Sequence, residues 1–217
     1  MSTQKTTLKL LPKNQYKGVN QEDPLRFYFW PVFGRMYRKR VELCLDECKG
    51  GEKVLEIGFG SGLSFLNLAE KYKIIHGLDL TADIRDVKSV FDDLGIQTHL
   101  QNGTVLSMPY ESNTFDTVLL ISILEHLKPA DLVLACKEIH RVLKPGGQIV
   151  YGVPVERPFM VSMFRILGTD IRTHHFSTEK QVYQAAEKVF EPCKIQKMHG
   201  PLGLFGPLYE VGHLKKP

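Results

Sequence analysis

Three glycines, Gly58, Gly60 and Gly62, alternate directly behind the run Val54-Leu55-Glu56-Ile57. A glycine inside a regular element costs about 0.5–1 kcal/mol relative to alanine. Three together imply a backbone that turns sharply and lies close to something. A short apolar run that ends in such a turn and opens a helix is where an α/β sheet takes a ligand, at the carboxyl ends of its strands. The free N–H groups of the helix start add polar contacts there. The spacing is G-x-G-x-G, with Leu63 standing where a dinucleotide-binding G-x-G-x-x-G would place its third glycine. Glu56, just before the turn, would repel a pyrophosphate and suits a cationic ligand. Further on, "GLDL" ends a second strand and carries Asp79. Its carboxylate either accepts hydrogen bonds from the two hydroxyls of a ribose or caps the following helix; the glycine loop upstream favours the ribose.

Glu125-His126 follow a strongly apolar run, where a general base would sit. His126 either takes a proton or packs to orient the loop. His174-His175 precede "FST" and read as a surface turn, with a place facing the site as the alternative. Ser61 lies in no G-x-S-x-G elbow and is no nucleophile. Cys44, Cys48, Cys136 and Cys193 form no C-x-x-C pair and have no histidine at ligand spacing. They read as buried reduced thiols, and no metal site is expected.

The elements that must position these groups alternate. "KVLEIG", "KIIHGLDL", "IQTHLQN", "FDTVLLIS" and "QIVYGV" read as strands. Between them "LSFLNLAEKY", "ADIRDVKSVFDDLG" and "ADLVLACKEIHRVL" read as helices, the last closed by "KPGG". The nearly all-apolar strands around Val54 and Val118 suit a parallel sheet covered on both faces. Strand–helix repetition gives right-handed crossovers and a doubly wound α/β fold. Before this core, residues 1–23 read as an extended or partly ordered polar arm, and a helix runs from Pro31 to Cys48, stopped by Gly50-Gly51. Its buried face would carry Trp30, Phe33, Tyr37, Val41, Cys44 and Cys48. After the core come a loop with a short helix (154–177), a helix over 178–190 capped by Ser177 or Thr178, and two strands, "KIQKMH" and "LYEVGHL", that suit an antiparallel pair.

The 217 residues, 43% of them hydrophobic, suit one domain: an arm and cover or lid helix (1–49), a core (50–153), and a loop, helix and strand pair (154–217). A net charge of +4 makes a poor nucleic-acid signal. The first residues lack the apolar stretch of a secretory signal. No run approaches the roughly 18 apolar residues of a membrane span. A cytoplasmic protein is expected, with peripheral membrane contact through "FYFWPVFGRMYRKR" held as an option behind a core-facing cover helix.

Four motifs then fall in order. "VLEIGFGSG", "GLDL", "MPYESNTFDTVLLISILEHL" and "IHRVLKPGGQIVYGVP" resemble the class I S-adenosylmethionine-dependent methyltransferases, in particular their broad small-molecule, methyltransferase type 11-like group. The resemblance covers about residues 50–153. It implies a Rossmann-like seven-stranded sheet with its last strand antiparallel, and S-adenosylmethionine as cofactor with S-adenosylhomocysteine as product. It also implies that Glu56, Gly58, Gly60 and Gly62 line the methionine moiety, with Phe59 inside that loop. Asp79 would hold the ribose and Leu80 would pack on the adenine. Thr104, beside Val105, stands where the family commonly has an adenine-facing aspartate, and Ile121 would border cofactor and substrate. The absence of N/D-P-P-Y after the fourth strand disfavours nucleobase N-methylation, so the acceptor is expected to be a small or lipid-like molecule. Tyr28, Trp30, Phe159 and Met163, with Phe27, would wall its pocket, and His175 would face it. Arg26 or Arg157 would pair with any acidic group on it. Two rival readings stay open: a nicotinamide-dependent oxidoreductase, and a non-catalytic subunit that retains the fold.

Overall fold

The computed structural model describes residues 5–18, 25–31, 33–155, 175–200 and 206–217. Its strands are β1 (Gly51–Ile57), β2 (Tyr72–Asp79), β3 (Thr98–Asn102), β4 (Phe115–Ile121), β5 (Leu143–Pro154), β6 (Glu191–His199) and β7 (Pro207–Lys215). The described helices are α1 (Leu25–Tyr28), α2 (Phe33–Glu47), α3 (Phe65–Leu68), α4 (Ile84–Asp92), α5 (Pro129–Val142) and α6 (Glu179–Ala186). The seven strands form one sheet in the order β3-β2-β1-β4-β5-β7-β6. All pairs out to β5 are parallel, and β7 runs antiparallel to both β5 and β6. The order reverses between β1 and β4, which opens a crevice beyond their carboxyl ends.

Both faces of the sheet are covered, as the near-continuous apolar strands require. Val54 of β1 and Leu119 of β4 join Val41, Cys44 and Leu45 of α2 and Phe91 of α4 in one core. Their chain neighbours Leu55 and Leu120 point the other way, into a second core with Leu132 and Ile139 of α5 and Val182 of α6. The period-2 alternation of each strand thus feeds two layers of helices.

The N-terminal arm is pinned in place. The N–H groups of Thr6, Leu8 and Lys9 donate to Asp46 Oδ1 at 2.6 Å, Glu42 Oε1 at 3.2 Å and Asn67 Oδ1 at 2.8 Å. Asn67 Nδ2 returns a bond to the Thr7 carbonyl at 2.9 Å. Leu8, Leu11 and Tyr16 are buried in the first core. The described part of the segment that polarity alone suggested was loosely ordered is held by these bonds and by the burial of Leu8, Leu11 and Tyr16.

Several boundaries move. The helix expected from Pro31 begins at Phe33, and Pro31 lies in a turn that separates it from α1. Trp30 N–H donates to Phe27 O, and Gly34 N–H donates to Trp30 O, at 3.2 and 3.0 Å. A Cβ on Gly34 would lie 2.7 Å from Tyr28 O, so the tight junction needs glycine there. The helix expected over 63–72 contracts to α3, because β2 already claims Tyr72. Lys71 instead donates to the carbonyls of Leu45 and Cys48 at 2.5 and 3.0 Å, closing the carboxyl end of α2. Thr178, not Ser177, caps α6, in a reciprocal capping box with Gln181. Cys44, Cys48 and Cys136 are buried thiols, but Cys193 is exposed, near the start of an edge strand. Residues 156–174, which include the expected short helix, lie outside the described residues.

Candidate active site

The turn after β1 carries Gly58, Gly60 and Gly62 at φ +74°, +52° and +73°. All three sit in the left-handed region that a side chain disfavours. Space is short as well. A Cβ at Gly58 would fall 2.0 Å from Ile123 Cδ1, and one at Gly62 would fall 2.5 Å from the Phe91 ring. Phe59, between them, turns its ring into the core against Phe65, at a centroid distance of 5.7 Å. Its side chain is therefore occupied below the turn.

Asp79 ends β2 beside this turn. Its Oδ2 accepts from Gly60 N–H at 3.0 Å, and its Oδ1 accepts from the N–H groups of Thr81 and Ala82 at 2.9 and 3.0 Å. Asp83, not Asp79, is the N-cap of α4, accepting from Asp86 N–H. The helix-cap role weighed for Asp79 therefore falls to its neighbour four residues on. Asp79 braces two loops instead. The carbonyl of Asp79 accepts from Gly103 N–H at 2.9 Å, which brings in the end of β3. Thr104 there bonds Leu106 N–H through its hydroxyl at 3.3 Å, and Val105 is buried in the second core. Leu80 is 72% exposed, an apolar side chain left open beside Asp79.

Glu56 lies beneath the turn, buried, with Ser64 Oγ donating to its Oε2. Burial pushes its carboxyl up to about 8; the Ser64 hydroxyl works against that shift, and the charge of Asp79 adds to it. A buried acid of this kind is stabilised in its charged form by a cation placed nearby.

Ile121 ends β4, partly buried against the first core. Ser122 follows at φ +58°, unusual for a residue with a side chain and a sign of local strain. Its N–H donates to Gly152 O at 2.8 Å, and its Oγ shares a hydrogen bond with Tyr209 Oη at 2.9 Å. Next come Glu125, buried, and His126, exposed. The Glu125 carbonyl accepts from the N–H groups of Phe176 and Ser177 at 2.8 and 3.1 Å. This stitch brings His175 to His126, their rings edge to face at 5.2 Å. The donor atoms of Glu125, His126 and His175 all lie within 4.8 Å of one another. The trio can move a proton, and its donor types would also serve a divalent metal.

The expected acceptor wall is divided. Tyr28 is buried, with its ring edge to face on Tyr37 at 5.6 Å. Trp30 is 52% exposed and shares a shallow outer groove with Lys13, Arg26, Phe27 and Phe29. Arg26 lies over the Phe27 ring at 4.6 Å. Phe159, Met163, Arg157 and His174 fall outside the described residues. One group had no place in the sequence reading: Arg40 of α2. Its guanidinium lies 4.1 Å from the Tyr37 ring centroid and 5.3 Å from that of Tyr209, and its Nε is buried without a hydrogen-bond partner. An arginine placed one residue before the buried Val41 was the only signal in the sequence.

Among known proteins, residues 55–151 match the family described as a methyltransferase domain. A ubiquinone biosynthesis O-methyltransferase of Pseudomonas aeruginosa (strain LESB58) is 30% identical over 131 residues, 58% of this chain and 55% of its own length. The chain spans less than two thirds of the length of the first curated relatives it matches. Two solved structures share the fold. The N-methyltransferase NodS from Bradyrhizobium japonicum WM9, in complex with S-adenosyl-L-homocysteine, superposes with a TM-score of 0.65 at 17% identity, covering 94% of this chain and 97% of its own. The [4+2]-cyclase SpnF superposes with a TM-score of 0.68 at 19% identity, covering 93% and 87%.

Proposed function

We propose that this chain is a class I S-adenosylmethionine-dependent methyltransferase, a reading supported by the match of residues 55–151 to a methyltransferase domain, and that it transfers a methyl group to a small-molecule or lipid-like acceptor through a hydroxyl oxygen. The observation that carries the cofactor half is the braced glycine turn, with Asp79 Oδ2 on Gly60 N–H and the buried Glu56 below it. The residues fit the cofactor. Three positions have no room for a Cβ or no allowed conformation for one, a carboxylate stands ready for a ribose, and a buried acid favours a cation. Glu56 and the turn would hold the methionine end, Asp79 the ribose, and Leu80 with Thr104 the adenine. Bound there, S-adenosylmethionine supplies an electrophilic methyl on a good leaving group. The protein then has to align the acceptor and exclude water.

A hydroxyl acceptor must lose its proton as the new bond forms. His126 would take that proton, a role supported by the nearness of His175 at its ring edge and of Glu125. The oxygen acceptor is supported by the relatives, whose printed activity is O-methylation. Thermal shift and calorimetry with S-adenosylhomocysteine and NAD test the cofactor half. Binding of the former is expected, and stabilisation by NAD alone would overturn the reading. The acceptor half is tested with tritiated S-adenosylmethionine and a panel of phenols and their O-methyl ethers. Label entering the phenols but not the ethers supports oxygen transfer, and equal labelling of both rejects it.

A further inference from the structure

We propose that Arg40, framed by Tyr37 and Tyr209, is the recognition group of the acceptor site, and that the acceptor carries a carboxylate on a flat, largely apolar body. This inference rests on the methyl-transfer reading and extends it to the class of acceptor.

A guanidinium lies over two tyrosine rings, and its buried Nε donates to no described residue. Enclosing an arginine this way is costly unless something charged or strongly hydrogen-bonding meets it. Burial opposes its charge, the charge of Glu125 favours it, and the guanidinium stays protonated.

Its position ties it to the transfer site through contacts. Tyr209, under Arg40, shares a hydrogen bond with Ser122 at 2.9 Å. Ser122 is the strained residue that directly follows β4, and its neighbour Ile123 packs against Gly58 of the cofactor turn. A molecule anchored on Arg40 therefore extends along the β4 exit toward Glu125 and His126.

The surroundings set the ligand's character. Tyr28, Tyr37 and Tyr209 form an aromatic frame, with Phe27 stacked on Tyr37 at 5.1 Å. Such a frame takes a planar body. The guanidinium fork matches a carboxylate in two parallel bonds. Glu125 contributes negative charge at Arg40, which favours a monoanion over a phosphate dianion.

The test is calorimetry on the full chain loaded with S-adenosylhomocysteine, titrated with benzoate, benzamide and inorganic phosphate at pH 8. Wild type should bind benzoate about tenfold more tightly than benzamide, the difference that one charge-assisted pair supplies. Arg40→Met keeps the apolar stem over the rings and should abolish that preference while S-adenosylhomocysteine affinity and melting temperature hold. Should the Met variant not fold, Arg40→Lys, which keeps the charge and loses the fork, should retain only part of the preference. Equal binding of benzoate and benzamide, no binding of either, full preference in both variants, or tighter binding of phosphate than of benzoate overturns the proposal. Loss of S-adenosylhomocysteine binding by wild type would instead overturn the methyl-transfer reading. The benzoate and benzamide titrations, repeated on the unliganded protein, then decide the Arg40 subsite by itself.

Discussion

The carboxylate of Asp79 accepts from the backbone N–H of Gly60 at 3.0 Å, joining the end of β2 to the glycine turn of β1. With the same side chain holding Thr81 and Ala82, one residue sets the shape of two loops. Removing it should therefore have a structural and a binding consequence together.

Asp79→Ala is expected to weaken S-adenosylhomocysteine binding by about 2–4 kcal/mol, since bonds to a charged acceptor contribute roughly 1.5–3 kcal/mol each and do not add fully. It should also lower the melting temperature of the unliganded protein, because three backbone N–H groups lose their acceptor. Asp79→Asn keeps one side-chain oxygen and should fall between. Calorimetry and thermal melts check both, and an Ala variant with unchanged affinity would remove the ribose role.

Glu56 makes stability depend on pH. Its folded-state carboxyl sits at about 8 against an ordinary 4.5, so between these values the folded protein holds a proton that the unfolded chain has released. Stability of the unliganded protein should then fall as pH rises through that window. Glu56→Gln should flatten the dependence. Affinity for the cationic S-adenosylmethionine should climb toward pH 8, because its charge favours the ionised form of Glu56. Melting temperatures and calorimetric titrations across a buffer series test each trend.

His76 of β2 works with the opposite sign. It pairs in register with His99 of β3, and the two rings stack at 4.9 Å. Burial, then the charges of His99 and Lys53, lowers its pKa to about 4 from 6.5. In that window the unfolded chain binds the extra proton, so stability is lost as pH falls from 6.5 toward 4. His76→Phe keeps a ring against Tyr110 and Phe115 and should reduce the acid sensitivity seen in urea denaturation at pH 5 and pH 7.5.

The N-terminal arm should behave as part of the core. Leu11→Ala is expected to cost about 2 kcal/mol, at the low end for a buried leucine. Truncation of residues 1–29 should prevent stable folding, because it removes Leu8, Leu11, Tyr16, Leu25 and Tyr28 from the first core. Circular dichroism melts check this. A truncated protein that melts normally but leaks cofactor would show that the segment is only a lid.

The sequence alone determined the strand–helix order, the glycine turn and the carboxylates at Glu56 and Asp79. These are local properties: alternation of apolar residues, the conformations only glycine adopts freely, and the place of an acid at a strand end. Tertiary structure decided what those groups touch. Asp79 reaches Gly60, 19 residues away, because β1 and β2 are parallel neighbours in register. His175 meets His126 because two N–H groups ahead of α6 bond the Glu125 carbonyl. Arg40 had no role in the sequence reading; β7, antiparallel to β5, brought Tyr209 beneath it. Periodicity reports which face of an element is buried, but only the order and register of the strands decide which distant side chain lies opposite it.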